Sequence, residues 1–447
     1  MKEAPVVIAD NLDKLEQRLR LSYRFLRMRT VFRVGLRCTG LLYRLVELLI
    51  SLVLGCGLTL PLHGLLMLRQ GLTGKDVFQR KIIVGRRGKP LAVSTFAVAW
   101  PAVANLALLY PVVSGKIGLV GASMEEVATH RFGPESGYLL GSRPGIISLW
   151  YIRRSSNIGH EGRLATEWEY RFTKKPAADL FLLLRALPAW FFASRTRPIQ
   201  GTIDLFGIKF ANLTMVEAVA LIDKMVATGH GSEACYFVNP DCLNKTFADG
   251  DYQEILAKAE NVFPDGIGLT LACKLMGSPL KENVNGTDML PYLCAMAAAK
   301  GYKLFLLGGR PGVAEVMADN ITEKYTVTVA GTHHGFFHHE KENSAVLEVI
   351  NASGADIVLV AFGAPLQEKW IAANRGRLQA GAVLGVGGLF DFYSGNTRRA
   401  PRWLREMGLE WLYRILQEPG RMWKRYVIGN PLFLFRVLRW KIGSRRN

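Results

Sequence analysis

The sequence has few cysteines and no paired-cysteine motif. Its 447 residues include six cysteines, none of them in a C-x-x-C pair and several within apolar runs. This spacing excludes the common zinc signatures and a disulfide framework, and it favours reduced cysteines in a cytoplasmic protein. The N-terminus is charged and has no adjacent apolar segment. The sequence therefore predicts no cleaved signal peptide.

Long uncharged apolar runs are also scarce. The run from Leu48 to Leu68 is long enough to span a bilayer without an Asp, Glu, Lys or Arg, and a polytopic membrane protein is not expected. Hydrophobic residues make up 49% of the chain and charged residues 21%. A disordered chain is excluded because this composition can bury a core. The length predicts two or three domains, and no internal repeat is evident.

Acidic residues are fewer than basic ones, and most of this difference lies at the two ends of the chain. The formal net charge is +19. Residues 1–44 contain ten basic against four acidic residues, and residues 398–447 contain thirteen against three. Such ends are typical of proteins that bind nucleic acid or the anionic lipids of a membrane. Because an apolar run lies near the first basic end, anionic inner-membrane lipids are the expected partner and nucleic acid is not.

The N-terminal part is predicted to associate with a membrane. Residues 1–40 form a basic amphipathic segment typical of surface-bound helices, although a solvated helix packed on the protein is the alternative. Within Leu48–Leu68, Pro61 removes a helical hydrogen bond, and both flanks are basic, which disfavours a simple crossing. A re-entrant helix that enters and leaves on the cytoplasmic side is therefore predicted. A straight transmembrane helix is the alternative.

Residues 38–195 resemble a family of membrane enzymes. The resemblance lies in four segments: Val77–Leu91 (VFQRKIIVGRRGKPL), Gly118–Gly121, Ser142–Ile146 and the aromatic-rich Tyr170–Phe192. They are similar to those of bacterial sugar transferases, the monotopic polyprenyl-phosphate phosphoglycosyl transferases. The resemblance implies an α-rich, monotopic domain at residues 41–195 on the cytoplasmic face of the bacterial inner membrane.

The catalytic carboxylates of that family are missing. The resemblance implies an adjacent Asp-Glu pair shortly after the Lys-Pro segment, in which the Asp is the nucleophile. No Asp or Glu occurs from Val77 to Met124, and Glu125 and Glu126 come too late. The domain is therefore predicted to have lost phosphosugar transfer and to serve in membrane docking or acceptor binding. A distant carboxylate that substitutes for the pair is the alternative.

A polar linker at residues 196–201 is predicted to lead into a soluble α/β domain at residues 202–397. Short β-rich runs alternate there with helical patterns. The predicted strands are Cys235–Asn239, Lys303–Leu307, Ile357–Phe362 and Ala382–Val386, and the predicted helices are Met215–Thr228, Gly312–Tyr325, Lys341–Ala352 and Gln367–Gln379. This alternation predicts a Rossmann-like parallel sheet with helices on both faces, whose ligands bind beyond the carboxyl ends of the strands.

The order of short motifs in residues 203–438 is the strongest signal in the sequence. The motifs are Phe263–Gly268, Val284–Asp288, Leu306–Gly312, Phe362–Glu368 and Gly385–Asp391, followed by a characteristic stretch from Arg399 to Arg421. Together they resemble the WecG/TagA/CpsF glycosyltransferases, glycosyltransferase family twenty-six. The resemblance implies a GT-E type fold and inverting, metal-independent transfer of a hexosyl or N-acetylhexosaminyl group without any cofactor.

The same resemblance implies the substrates and partners. The donor would be a UDP-sugar and the acceptor a polyprenyl-diphosphate-linked glycan (undecaprenyl diphosphate in bacteria). A separate initiating phosphoglycosyl transferase would make that acceptor for cell-surface polysaccharide or exopolysaccharide synthesis. The donor sugar, the acceptor glycan and homo-oligomer formation stay open at this point.

The resemblance also assigns roles to individual residues. Asp265 falls on the proposed general base. The implied substrate-binding residues are Asn239, Asn285, Thr287, Asp288, Gly308, Gly309, Gln367, Asp391, Arg414, Arg421 and Lys424. The last three belong to a basic appendage, residues 398–447, which is expected to complete the active site and to contact the membrane. Asn283 and Lys424 stand where the family usually has Arg, and a lysine keeps the charge without the planar fork of guanidinium. The structural alternatives are an ordinary turn at Asp265 and a helix N-cap at Asp288.

Elementary chemistry agrees with these assignments. Inverting transfer needs one base to accept the proton of the attacking hydroxyl. Without a metal, cations must stabilise the leaving diphosphate, and arginine does so with fixed donors. Arg414, Arg421 and Lys424 are spaced to share one helical face unless Pro419 breaks the helix. Binding of lipid headgroups is their alternative role.

Four histidines, His333, His334, His338 and His339, invite a metal site. Their spacing is not a zinc signature and no set of Cys or carboxylate ligands accompanies them. A loop near the donor site is therefore the favoured interpretation.

Two other functions remain as alternatives to a single glycosyltransferase activity. A bifunctional enzyme would both start and extend the lipid-linked glycan, but the missing Asp-Glu pair argues against it. A non-catalytic scaffold would only hold lipid-linked intermediates, but the presence of Asp265, Gln367 and Asp391 argues against that.

Overall fold

The computed structural model describes residues 30–85, 89–98, 101–124, 143–155, 162–192, 201–229 and 231–443. The chain divides into two compact units, Met1–Ile152 with His160–Phe191, and Arg153–Gly159 with Phe192–Asn447. Most of the predicted basic segment (residues 1–29), Glu125, Glu126 and Ser142, and linker residues 196–200 lie outside the described residues.

A long helical stretch opens the first unit. Helix α1 (Thr30–Leu54) continues through a π-helical turn (Gly55–Thr59) into α2 (Leu60–Thr73). Pro61 lies in the first turn of α2, and the π-helical turn directly before it accommodates the missing N–H without ending the helix. Among the described residues, Leu41–Thr73 is the one helix long and apolar enough to cross a membrane. The re-entrant path stays a prediction.

This helix buries polar side chains and exposes apolar ones, which is the reverse of a helix on the surface of a water-soluble protein. Its polar residues Glu47, Ser51 and Thr59 are buried in the protein. Many of its apolar side chains face outward, and the exposed fractions of Leu49, Leu65 and Leu72 are 62%, 65% and 87%. Exposed apolar surface of this extent is stabilised by lipid rather than by water. Membrane association of the helix is therefore plausible on physical grounds.

Short elements follow along the chain: β1 (Phe78–Val84), β2 (Pro90–Phe96), α3 (Pro101–Ala104), a 3₁₀ turn (Asn105–Leu108), α4 (Leu109–Val113), β3 (Gly118–Val120), β4 (Gly145–Ile147), α5 (Leu149–Ser155), α6 (Arg163–Thr173) and α7 (Pro176–Phe192). The Val77–Leu91 segment supplies the antiparallel hairpin β1–β2, and the two glycine motifs supply the parallel pair β3–β4. A Cβ on Gly145 would lie 2.1 Å from the backbone nitrogen of Gly121. The close approach of these two segments therefore requires glycine.

The second unit is built on a six-stranded sheet. The antiparallel hairpin β5 (Thr202–Leu205) and β6 (Ile208–Ala211) precedes it. The sheet strands are β7 (Glu233–Val238), β8 (Asn261–Pro264), β9 (Lys303–Gly308), β10 (Thr328–His333), β11 (Ile357–Ala361) and β12 (Ala382–Gly385). Their order is β10-β9-β11-β12-β7-β8, and every neighbouring pair is parallel. The predicted parallel α/β sheet is confirmed, whereas the sequence did not predict the hairpin, β8 or β10 as strands.

Helices cover both faces of this sheet: α8 (Met215–Thr228), α9 (Pro240–Thr246), α10 (Gly250–Lys258), α11 (Ile267–Met276), α12 (Gly286–Lys300), α13 (Val313–Tyr325), α14 (Asn343–Ala352), α15 (Leu366–Asn374) and α16 (Leu389–Tyr393). Two separate cores result, because Phe305 and Leu307 of β9 pack into one and Leu304 and Leu306 into the other. The predicted helix Gln367–Gln379 is shorter than expected, since a 3₁₀ turn (Arg375–Arg377) follows Asn374.

The basic appendage is a chain of short helices ending in a longer one. It comprises α17 (Arg402–Glu406), α18 (Glu410–Gln417), α19 (Pro419–Trp423), a π-helical turn (Lys424–Ile428) and α20 (Gly429–Gly443). Of the two alternatives for Arg414, Arg421 and Lys424, the structure shows the one in which Pro419 breaks the helix. Pro419 starts a new helix, and Glu418 before it has non-helical backbone angles (φ −132°, ψ 66°).

Helix α20 is an integral part of the second unit. Its Phe433 and Val437 are fully buried in a sheet core. Arg436 donates to Asn244 Oδ1 on α9 at 2.8 Å, and Asn244 Nδ2 donates to the carbonyl of Gly429 at 2.7 Å. These contacts fix the π-helical turn that directly precedes α20.

Candidate active site

The carboxyl ends of the parallel strands gather the predicted site residues. Asn239 follows β7, Asp265 follows β8, Gly308 and Gly309 end β9, Gln367 follows β11 and Asp391 follows β12. Parallel strands place these ends at one edge of the sheet. The topology therefore brings to one edge residues that are spread over about a third of the chain.

The turn that carries Asp265 is fixed on both sides. The N–H of Asp265 donates to the carbonyl of Val238 at 2.8 Å, which joins the ends of β7 and β8. The N–H of Gly266 donates to Asn283 Oδ1 at 2.6 Å, and its φ of +92° suits only glycine. Asn283, where the family usually has Arg, thus has a defined structural role in this chain.

Burial and four charged groups set the protonation of Asp265. Burial raises the pKa of Asp265 to about 6; Arg414 and Arg425 oppose the rise, and Glu410 and Asp288 add to it. A carboxylate with this pKa is largely ionised at pH 7 and is a stronger base than an exposed one. A perturbed pKa of this kind marks a candidate functional residue.

The cations near Asp265 come from two parts of the appendage. Arg414 on α18 lies over the ring of Phe392, with its guanidinium carbon 4.7 Å from the ring centroid. Arg425, in the π-helical turn, lies with Nε 3.7 Å from Asp241 Oδ2. Both guanidinium groups act on the carboxylate of Asp265.

The other two predicted cations face outward. The side chain of Arg421 is 68% exposed and pairs with Glu418 at 3.1 Å, and Lys424 is exposed. Arg425 was not among the predicted site residues, because the resemblance assigned the neighbouring Lys424 to substrate binding. Substrate binding by Arg421 and Lys424 stays a prediction.

Asp288 links the site to the appendage. Its Oδ1 lies 2.6 Å from Arg399 Nη1 and 3.6 Å from Arg405 Nη1. Burial raises the pKa of Asp288, but the two arginines and Asn285 outweigh this and lower it overall. The N-cap interpretation of Asp288 is wrong, because Asn285 is the cap: its Oδ1 accepts from the N–H of Asp288 at 2.8 Å, and its Nδ2 donates to Asp288 Oδ2 at 2.7 Å.

Three further predicted residues have visible structural roles. Gln367 Oε1 accepts from the N–H groups of Gly363 at 3.2 Å and Gly387 at 2.9 Å, which ties together the loops after β11 and β12. Asn239 Oδ1 caps α9, and the carbonyl of Thr287 accepts from the hydroxyl of Tyr393 at 2.9 Å. Direct contact of these three with substrate stays a prediction.

The glycine turn after β9 depends on close packing. Gly308 has φ +141°, and a Cβ there would lie 2.6 Å from the carbonyl oxygen of Ala361. Gly309 has φ +71° and would bring a Cβ to 3.0 Å from Val313. Asp391, in the first turn of α16, accepts from the N–H of Thr397 through its carbonyl at 2.8 Å. Roles of these groups toward a donor stay predictions.

The histidine-rich loop lies beside this glycine turn. The N–H of Gly335 donates to the carbonyl of Gly309 at 2.9 Å. The His339 ring stacks on Phe337 with centroids 4.3 Å apart, and it meets Phe362 edge-on at 4.9 Å. Within the described part of the chain, no group of three or more His, Cys, Asp or Glu is arranged to hold a metal ion.

Known proteins are similar in sequence to the second unit. A model of the glycosyl transferase WecG/TagA/CpsF family matches residues 203–447. A Bacillus subtilis (strain 168) protein is 29% identical over 239 residues, which are 53% of this chain and 91% of that protein. A Staphylococcus aureus (strain MW2) protein is 28% identical over 251 residues, 55% of this chain and 95% of that protein. Both are named N-acetylglucosaminyldiphosphoundecaprenol N-acetyl-beta-D-mannosaminyltransferase.

These similarities bear on the two resemblances seen in the sequence, which cover different parts of the chain. The family match gives no support to the sugar-transferase resemblance of residues 38–195, which stays a prediction. The resemblance of residues 203–438 is confirmed by a match that covers more than half of the chain. The protein therefore belongs to the WecG/TagA/CpsF family of glycosyltransferases.

Proposed function

We propose that the protein transfers an N-acetylhexosamine, with inversion, from a UDP-sugar to a polyprenyl-diphosphate-linked N-acetylglucosamine. The acceptor class follows the names of the two relatives, which act on N-acetylglucosaminyldiphosphoundecaprenol. The observation that carries the proposal is the carboxylate of Asp265, whose pKa is about 6, placed at the carboxyl edge of the sheet under the influence of Arg414 and Arg425. A base and cations in one place are what this reaction requires.

Asp265 is the proposed general base. As the acceptor hydroxyl attacks the anomeric carbon, its proton passes to the Asp265 carboxylate. The bond between that carbon and the diphosphate oxygen breaks, and its electron pair leaves with UDP. Attack from the face opposite the leaving group inverts the anomeric configuration, so a single base suffices.

Arginines are the proposed electrostatic partners of the leaving UDP. Arg414 is held over Phe392 and is the best placed of the predicted cations. Guanidinium groups bind diphosphate oxygens through fixed, charge-assisted hydrogen bonds. The proposed reaction therefore proceeds without a metal ion or another cofactor.

The proposed location is the cytoplasmic face of the inner membrane, with monotopic attachment. The outward apolar face of the Leu41–Thr73 helix supports this location. The appendage also exposes apolar side chains next to basic ones, and the exposed fractions of Leu416, Phe435 and Ile442 are 74%, 62% and 60%. Basic and apolar groups together favour an anionic lipid surface.

We also propose that the first unit lacks phosphosugar transfer. Among the described residues, Glu47 and Glu167 contact the carboxylate-free segment 77–124, and their side chains are only 4% and 3% exposed. Glu47 accepts from the N–H of Leu119 at 2.6 Å and Glu167 from that of Ser123 at 2.9 Å. Buried acids in internal contacts are poorly placed as nucleophiles. UMP release from UDP-sugars and polyprenyl phosphate would contradict this proposal.

A matched pair of variants tests the proposed function. Full-length protein in detergent is incubated with a panel of UDP-sugars and N-acetylglucosaminyl-diphosphate-polyprenol. We expect a lipid-linked disaccharide, and a fall in kcat of about 10²- to 10⁴-fold for Asp265→Asn. Asp319→Asn removes the same charge from an exposed position on α13, and we expect wild-type turnover. Equal turnover of the two variants would refute the assignment of the base.

A further inference from the structure

We infer that Asp241 and Arg425 form a positioning pair that keeps the Asp265 carboxylate in its ionised, proton-accepting form. Arg425, the neighbour of the predicted substrate-binding residue Lys424, is one of the two cations that act on this carboxylate. The inference rests on the proposed function of Asp265 and identifies two residues that act through it.

The pair stands on the strand end next to the base. Asp241 lies in the first turn of α9, directly after β7. The hydrogen bond from the N–H of Asp265 to the carbonyl of Val238 joins the ends of β7 and β8. Asp241 and Asp265 therefore project from two neighbouring, mutually fixed strand ends.

Asp241 is itself held in place. Lys245, one helical turn further along α9, lies with Nζ 3.0 Å from Asp241 Oδ2. The same ammonium group donates to the carbonyl of Ala364 at 3.0 Å, which anchors it to the loop after β11. On its other side, Asp241 Oδ2 lies 3.7 Å from Arg425 Nε. The side chains of Asp241 and Arg425 are each only 25% exposed, so water screens the pair incompletely.

Arg425 rather than Lys424 faces inward. Both residues lie in the π-helical turn Lys424–Ile428, whose end is fixed by the contact of Asn244 with Gly429. In this arrangement Lys424 is exposed and Arg425 reaches Asp241.

Two cations and two anions act on the Asp265 carboxylate, and Arg425 is one of the cations. Arg414 and Arg425 favour the ionised carboxylate, while Glu410 and Asp288 disfavour it. Arg414 comes from α18, and Arg425 is the second cation. Removing it leaves two anions opposed by one cation, which shifts Asp265 toward its protonated, inactive form.

The test is the pH dependence of kcat/KM for Arg425→Gln in the full-length protein. We expect the acidic limb of the wild-type profile near pH 6 and that of the variant about one pH unit higher. This corresponds to a loss of about fivefold at pH 6 and almost no loss from this cause at pH 8.5. Lys424→Gln is expected not to move the limb, whatever its effect on turnover. Arg439→Gln, which changes an exposed residue of α20 in the same way, is the control for net charge.

Asp241→Asn separates positioning from simple electrostatics. Loss of a nearby anion would by itself move the limb to lower pH. If Asp241 positions Arg425, the acidic limb of Asp241→Asn instead lies at higher pH than that of the wild type. When Asp241→Asn is added to Arg425→Gln, the limb does not move to higher pH. A downward shift in the wild-type background would overturn the role of Asp241.

Two outcomes would overturn the role of Arg425. One is a pH profile for Arg425→Gln that equals that of the wild type. The other is a loss of equal size at every pH, which leaves the acidic limb in place and indicates direct diphosphate binding alone. Titration of ¹³C-carboxyl-labelled aspartate by NMR, with Asp265 assigned through Asp265→Asn, reads the same shift without turnover. A wild-type protein that transfers no sugar, but whose Asp265 titration responds to Arg425→Gln, would refute the proposed function and leave this inference intact.

Discussion

Replacement of Asp265 by Asn should stabilise the protein at neutral pH, although it strongly slows transfer. Burial raises the pKa of this carboxyl from its ordinary value of 3.8 to about 6. The folded protein therefore holds an ionised group in surroundings that favour the neutral form. Asparagine has nearly the same shape and carries no charge to desolvate.

The size of the effect follows from the two pKa values. Because the pKa is raised on folding, the contribution of Asp265 to stability is fully present below pH 3.8 and is lost as the pH rises through about 6. A shift of about two units corresponds to about 3 kcal/mol at pH 7 to 8. At pH 4.5 only about 1 kcal/mol of that loss has occurred. Asp265→Asn should recover these amounts.

The assay is urea unfolding of the full-length protein in detergent at pH 8 and pH 4.5. The free energy of unfolding of Asp265→Asn should exceed that of the wild type by more at pH 8 than at pH 4.5, with an unchanged m-value. Asp319→Asn, on the exposed face of α13, should change stability by less than about 0.5 kcal/mol. A loss of stability in Asp265→Asn at pH 8, or a gain independent of pH, would refute the reasoning.

Four other predictions follow from the geometry. Arg414→Ala should lower kcat by about 10²- to 10³-fold because it removes a preorganised cation, whereas Arg439→Ala, at an exposed position on α20, should lower it by less than about fivefold. Comparable losses in steady-state assays would contradict the assignment of Arg414. Transfer should continue in EDTA, and a loss that added metal restores would revive the histidine loop as a metal site. Gly308→Ala should lower stability in urea unfolding by about 2 kcal/mol or more, because its Cβ would lie 2.6 Å from a carbonyl oxygen at φ +141°, whereas Gly376→Ala, with open space around it, should have little effect. Cysteines introduced at residues 40 and 75 should both resist labelling from the periplasm if the apolar helix is re-entrant, and labelling of either would indicate a crossing.

The sequence predicted the sheet where strands were apolar along their whole length. Runs such as Ile357–Ala361 are buried on both faces, and their composition shows it. β10 was missed because it is an edge strand with a mixed sequence and an irregular register between Val329 and Gly331. β8 was missed because its sequence begins with Asn261 and ends in Pro264, two residues that are uncommon in strands.

The candidate site could be predicted only in part, for a physical reason. Motifs at strand ends placed Asp265 and Gln367 correctly at one edge, since parallel topology follows from the order of the elements. The pairing of Asp288 with Arg399 joins residues far apart in sequence, and it depends on where the appendage packs. Arg425 was missed because the resemblance points to its neighbour Lys424, and only the packing of the appendage shows that Arg425 lies beside Asp241.

The most direct test of the proposed activity is the nature of the nucleotide and the glycan that the wild-type protein releases. Full-length protein is incubated with N-acetylglucosaminyl-diphosphate-polyprenol and a panel of UDP-sugars that includes UDP-N-acetylmannosamine. ³¹P NMR identifies the nucleotide, and ¹H NMR of the lipid-linked product gives its anomeric configuration. We expect UDP together with a disaccharide whose new bond has the anomeric configuration opposite to that of the donor. Retained configuration, or UMP as the released nucleotide, would contradict the proposed activity.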